Sequence, residues 1–123
     1  MIADYMERGF LENIVDMFLH DSSLYGLIGE LIQDERVRVR LGVTALMEEL
    51  AQKDKTNILR SAPSLMPLLS HHEPVVRGDA ANLVGIAGFR EAATELARLL
   101  SDENPNVRII AQEALELLNS GLL

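Results

Sequence analysis

Three consecutive residues, His71-His72-Glu73, offer two imidazoles and a carboxylate, donor types that bind zinc or iron. A metal site needs three or more ligands converging from different directions. Adjacent residues at the start of a helix diverge, the chain has no Cys, and the only other His is His20. Solvated side chains are the expectation here, with no metal and no cofactor. Arg36, Arg38 and Arg40 alternate with Val37 and Val39 and suggest a phosphate-binding strip. Asp34 and Glu35 precede them, and Glu48 and Glu49 follow on the same helix. In that negative surrounding the arginines are expected to face water or pair with acids. Ser, His and Asp are all present, yet no Gly-x-Ser-x-Gly, phosphate loop or dinucleotide glycine pattern accompanies them. Gly85-Ile86-Ala87-Gly88-Phe89 follows no strand and reads as close packing plus a helix end. No catalytic residue is assigned, and a non-enzyme is expected.

Composition narrows the class. The chain has 123 residues, 48% hydrophobic and 24% charged, which suits one globular domain with its own core. Aromatics are 4% and Trp is absent, so aliphatic seams between helices are favoured over a sandwich or barrel. Net charge is −8, and 11 acids against 7 bases in residues 1–62 and 8 against 4 in residues 63–123 leave each half at −4. A uniformly acidic surface repels phosphate backbones, so no nucleic-acid partner is expected. Lack of Cys fits a reducing compartment, and the start "MIADYMERGF" is acidic where a signal peptide would be basic. No apolar run is long enough to span a bilayer, so a cytoplasmic protein without membrane association is the expectation.

The elements that would carry any site come from an internal repeat. "DERVRVRLGVTALM", "HHEPVVRGDAANLV" and "DENPNVRIIAQEAL" share one skeleton. Setting Val39, Val76 and Val107 in register, 37 and 31 residues apart, also aligns Ile28/Leu65/Leu96, Leu31/Leu68/Leu99 and Ile32/Leu69/Leu100. Downstream, Val43/Ala80/Ala111, Leu46/Leu83/Ala114, Met47/Val84/Leu115 and Leu50/Ala87/Leu118 stay apolar, and Arg40, Arg77 and Arg108 form one polar column. The apolar columns fall at i, i+3, i+4 before each polar break and at i, i+4, i+7, i+8, i+11 after it, both helical periods. Pro74 and Pro105 suit first helical turns, Asn104 a cap, and Gly88 and Gly121 helix ends. Met1, Met6, Met17, Met47 and Met66 read as core filler.

Each unit is therefore helix–turn–helix, and neither helix buries its stripe alone, so units must stack. The expected division is a degenerate capping half-unit over 1–23, then units over 24–53, 54–88 and 89–119. In the half-unit, Leu11, Val15, Phe18 and Leu19 repeat the apolar spacing, with Glu12 where the other units have Arg. Ser22 or Ser23 is the expected cap for a helix near Leu24, and "TNILR" an extra turn before a helix starting near Pro63. Leu122 and Leu123 would cover the last unit's edge or fray.

The pattern D-x-x-x-x-V-R-x-x-A-x-x-A-L, as in "DENPNVRIIAQEAL", resembles the HEAT-repeat signature, particularly the short HEAT-like repeats named after phycobilisome lyases. The resemblance covers residues 24–119 and implies an all-α, armadillo-like α-solenoid with its second helices on a concave face. It implies protein–protein recognition as the role, or alternatively an accessory subunit of a lyase-like or cofactor-maturation system. It also implies a polar ladder pairing Asp34 with Arg40 and Asp102 with Arg108, interrupted where His71 replaces the Asp. The iron-binding HEAT-like enzymes, deoxyhypusine hydroxylases, carry His-Glu directly after Val-Arg; here those positions are Leu41-Gly42, Gly78-Asp79 and Ile109-Ile110. Repeat-built DNA glycosylases of this family have a basic groove, unlike this acidic chain.

Residues two positions past each column valine lie about 200° around the helix from it, opposite the core stripe. That face carries Leu41/Gly78/Ile109, then Ala45/Asn82/Glu113, then Glu48/Gly85/Glu116. It is apolar at one end and acidic at the other, and the two glycines would let a partner backbone approach. These nine residues are the expected protein-binding face of a non-enzymatic scaffold.

Overall fold

The computed structural model describes residues 2–120, all of whose regular structure is helical. Met1, Gly121, Leu122 and Leu123, which the sequence reading placed in the core or at the C-terminal edge, lie outside the described residues. Helices α1 (Ile2–Glu7) and α2 (Leu11–His20) come first, then α3 (Ile28–Leu31) and α4 (Val37–Lys53). Next are α5 (Ala62–Leu65), α6 (Pro74–Ala87), α7 (Ala93–Leu99) and α8 (Pro105–Ser120). Short 3₁₀ segments cover Ser22–Leu27, Asn57–Ser61, Met66–Ser70 and Arg90–Ala92.

The long helices α4, α6 and α8 start and stop where their end residues dictate. Pro74 and Pro105 sit in first turns, where a missing N–H breaks no intrahelical bond. Asn104 Oδ1 accepts the backbone N–H groups of Asn106 and Val107, two donors that α8 itself leaves unpaired. Gly88 ends α6 at φ 75°, a conformation open to glycine at little cost, and its N–H reaches the carbonyls of Gly85 and Val84. Val39, Val76 and Val107 occupy corresponding buried positions on the three helices. Along α4 the apolar stripe of Val43, Leu46, Met47 and Leu50 is fully buried, each large side chain contributing about 1.5–3 kcal/mol.

The first helices of the units are shorter and more broken than their periodicity suggests. Pro63 and Pro67 each lack an N–H, so the α-helical ladder fails twice between Asn57 and Ser70 and 3₁₀ turns fill in. Asp21, not Ser22 or Ser23, caps the segment at Ser22–Leu27, accepting from the N–H and hydroxyl of Ser23. Over the stretch expected to be a half-unit, α1 and α2 pack against each other, and both helices pack on α4. Its buried stripe runs through Ile14, Val15 and Phe18, while Leu19 is exposed.

Successive long helices are neighbours: α2 on α4, α4 on α6, α6 on α8. The short segments form a second row, Ser22–Leu27 against Asn57–Ser61, α3 against α5, and Met66–Ser70 against α7. Between the rows the Tyr25 ring meets Phe18 edge-on at 5.2 Å and its hydroxyl donates to Asp54 Oδ2 at 2.9 Å. Burial, reinforced by that carboxylate, raises the Tyr25 pKa.

Candidate functional site

Two arginines of the repeated column, Arg77 and Arg40, reach from one long helix to the next helix or the turn before it. Arg77 is almost fully buried, and its Nε and Nη2 donate to Asp102 Oδ2 and Oδ1, both at 2.9 Å. Its Nη1 reaches the carbonyls of His71 and His72 at 2.9 and 3.2 Å. The fork from Arg77 holds the Asp102 carboxyl below its ordinary range. Arg40 likewise reaches from α4 to α6, where its Nε lies 3.4 Å from Asp79 Oδ2. That contact lacks hydrogen-bond geometry, and both atoms are buried without a hydrogen-bond partner. Burial therefore dominates at Asp79 and raises its pKa against the pull of Arg40.

These contacts correct the ladder expected within each unit. Asp34 pairs with Arg36 rather than Arg40, and Arg36 also bonds Asp4. The Arg36 side chain, with help from its backbone N–H, lowers Asp34 to about 2. Arg108 reaches only the backbone carbonyl of Asp102, whose carboxylate belongs to Arg77. The alternating arginines thus meet acids or carbonyls: Asp34 and Asp4 for Arg36, the Glu7 carbonyl for Arg38, Asp79 for Arg40.

His71 Nδ1 accepts the N–H of Glu73 at 3.0 Å. Asp34 and Asp102 accept the N–H two residues on in the same way, so the imidazole replaces a carboxylate as the turn's acceptor. The His72 ring stacks on His71 at 4.4 Å, with Nε2 3.7 Å from Glu73 Oε1. No group of three or more His, Cys, Asp or Glu side chains able to hold a metal occurs among the described residues.

The nine residues of the expected docking face divide into three kinds. Leu41 and Ile109 are exposed, at 66% and 59%, as are Glu48, Glu113 and Glu116. Ala45 and Asn82 are half-buried. Gly78 and Gly85 are buried, which corrects their assignment as open ground for a partner backbone. A side chain at Gly85 would press on the Ala114 backbone and methyl at 3.0 Å, and one at Gly78 would meet Ile110 at 3.0 Å. Both glycines let α8 lie close along α6, and the glycine-specific space is taken by this chain itself.

Three depressions hold most of that face. A trough of about 660 Å³ lies across the C-terminal halves of α4, α6 and α8, with Glu48, Asn82, Gly85 and Leu117 among its lining. A second, of about 460 Å³, shares Asn82 and Leu117 with it and adds Glu113 and Glu116. The third, about 330 Å³, holds Gly78, Ile109 and Val75 at the helix starts, beside Asp79. Sequence reasoning missed Leu117, which is 47% exposed, although it stands eight residues past Ile109 and so returns to the same helix face. It also missed Val75, where the buried Val76 beside it drew the apolar assignment. Lys55 and Arg90 line the far end of the large trough, near the ends of α4 and α6. The two hydroxyls in these linings, Thr44 and Ser120, donate to the backbone carbonyls of Arg40 and Leu117.

No helix among the described residues is long and apolar enough to cross a membrane. Searches against protein-family models, curated proteins and solved structures found no match for this chain.

Proposed function

We propose that the chain is a non-enzymatic protein–protein interaction module, a short α-solenoid of HEAT-like repeats that takes its partner on the concave face of α4, α6 and α8. The observation that carries this reading is the trough across those three helices, with exposed Leu117 at its edge and the carboxylates Glu48, Glu113 and Glu116 around it. Apolar anchors beside carboxylates at one end, with Lys55 and Arg90 at the far end, give a docking surface burial and orientation together. The lining hydroxyls already donate to backbone carbonyls, which suits recognition better than nucleophilic chemistry.

Affinity capture from the source cell tests the reading. Wild-type chain should retain a protein that the double variant Ile109→Asp, Glu116→Lys loses, with helical content unchanged because both side chains are exposed. Ile109→Asp alone should weaken binding by about 1–3 kcal/mol through lost burial and a desolvated charge. Undiminished capture by the folded double variant would move the site to the short-segment row or the turns. A pigment or metal in the absorption spectrum of untagged protein would favour a cofactor-maturation role instead.

A further inference from the structure

Resting on that reading, we infer that the docked element is a basic amphipathic helix, with two large apolar side chains seven or eight residues apart and Lys or Arg between them. The spacing comes from α8. Ile109 and Leu117 are its exposed large apolar residues, eight positions and so about 12 Å apart on one face. Glu113 stands midway between them, with Glu116 beside Leu117 and Glu48 across the trough on α4. Glu48 and Glu113 make no ion pair among the described residues, and Glu116 accepts only the Gln112 amide at 3.2 Å. The depression lined by Glu113, Glu116 and Leu117 has no cation in its lining among the described residues, whereas Lys55 and Arg90 lie at the far end of the trough, so a cationic side chain lying between the anchors complements the acidic end.

The walls decide between a helix and an extended segment. An extended chain would also span about 12 Å, in about four residues, but its buried N–H and C=O groups need partners. The walls are helices whose mid-helix backbone groups are already paired, and α6 offers one side-chain amide, Asn82. A helix brings its own backbone bonds and needs only side-chain complementarity.

The test is selection of peptides from a random displayed library on the full chain, followed by anisotropy titration of the enriched peptides. Enriched peptides should carry two apolar residues seven or eight apart flanking Lys or Arg, and should become helical on binding. Their affinity should fall at least about tenfold for Leu117→Asp and for Glu113→Lys with Glu116→Lys, following the roughly 1.4 kcal/mol per decade of binding. Leu59→Asp, on an exposed residue of the other row, should leave it unchanged. Peptides that respond to the α8 variants but are acidic, or bind extended, would overturn the helix while leaving the docking face standing. Failure to enrich any peptide, or sensitivity to Leu59→Asp alone, would overturn both. A concentration-dependent dimer dispersed by Leu117→Asp would assign the face to a second copy and also overturn the proposal.

Discussion

The junction between α6 and α8 and the junction between α4 and α6 are built from the same columns of the repeat and end up unlike. Between α6 and α8, Arg77 clamps Asp102 with two 2.9 Å bonds, and Gly78 and Gly85 let the helices close. Between α4 and α6, Arg40 meets Asp79 at 3.4 Å without a hydrogen bond, and the columns of the two glycines hold Leu41 and Glu48. The difference traces to single residues. Arg77 finds its partner in the following turn, at Asp102; the corresponding turn position ahead of Arg40 is His71, which offers no carboxylate. Arg40 turns to Asp79 on the helix instead. One junction is a clamp, and the other opens as the wall of the trough lined by Thr44, Glu48 and Asn82.

The clamp is where the largest loss should appear. Asp102→Ala leaves the buried Arg77 guanidinium without its counter-ion and should cost about 3–5 kcal/mol in urea unfolding. A loss below about 1 kcal/mol would mean that the two carbonyl bonds alone hold Arg77, and the contrast between junctions would fail. Gly85→Val should come next, at about 1–3 kcal/mol, because its side chain meets the Ala114 backbone rather than a movable tip. An unchanged melting temperature would show that α6 and α8 have slack. At the open junction, Asp79→Asn should change stability at neutral pH by only about 0–1 kcal/mol, since the pair is partly exposed and poorly bonded.

The two aspartates should also differ in the sign of their pH dependence. Asp102 has a folded pKa below the ordinary 3.8, so its contribution is complete above that pH and fades as acidification passes the folded value. Asp79 has a folded pKa above 3.8, so its contribution is present below that pH and is lost as pH rises through the folded value. Asp102→Asn should therefore flatten the loss of stability below pH 3.8, while Asp79→Asn should act above pH 3.8, removing the gain in stability that wild type makes as pH falls through the raised folded pKa of Asp79. Parallel curves for both variants would contradict the assignment of burial as the dominant influence on Asp79.

Much of the framework was legible in the chain. Val39, Val76 and Val107 with their downstream columns located α4, α6 and α8, and Asn104, Pro105 and Gly88 marked helix ends because capping is local chemistry. The ladder was not legible, because spacing along one chain cannot say whether Arg77 folds back on its own turn or reaches Asp102, 25 residues on. The glycines misled for a related reason. Gly78 and Gly85 mark a close approach, and only the placement of Ala114 and Ile110 shows that the approaching body is α8. Within the face, the exposed Leu41, Ile109, Glu48, Glu113 and Glu116 were found because a helix places residues of one column at one angle.

Carboxylate footprinting tests the central claim most directly. The chain is labelled with a carbodiimide and an amine nucleophile, free and bound to its captured protein partner, and labelling is read residue by residue by mass spectrometry. Glu48, Glu113 and Glu116 should lose most of their labelling on binding, while the exposed Glu30 of the short-segment row should keep its own. Protection of Glu30 with unchanged labelling at Glu48, Glu113 and Glu116 would contradict the account and place the partner on the opposite row.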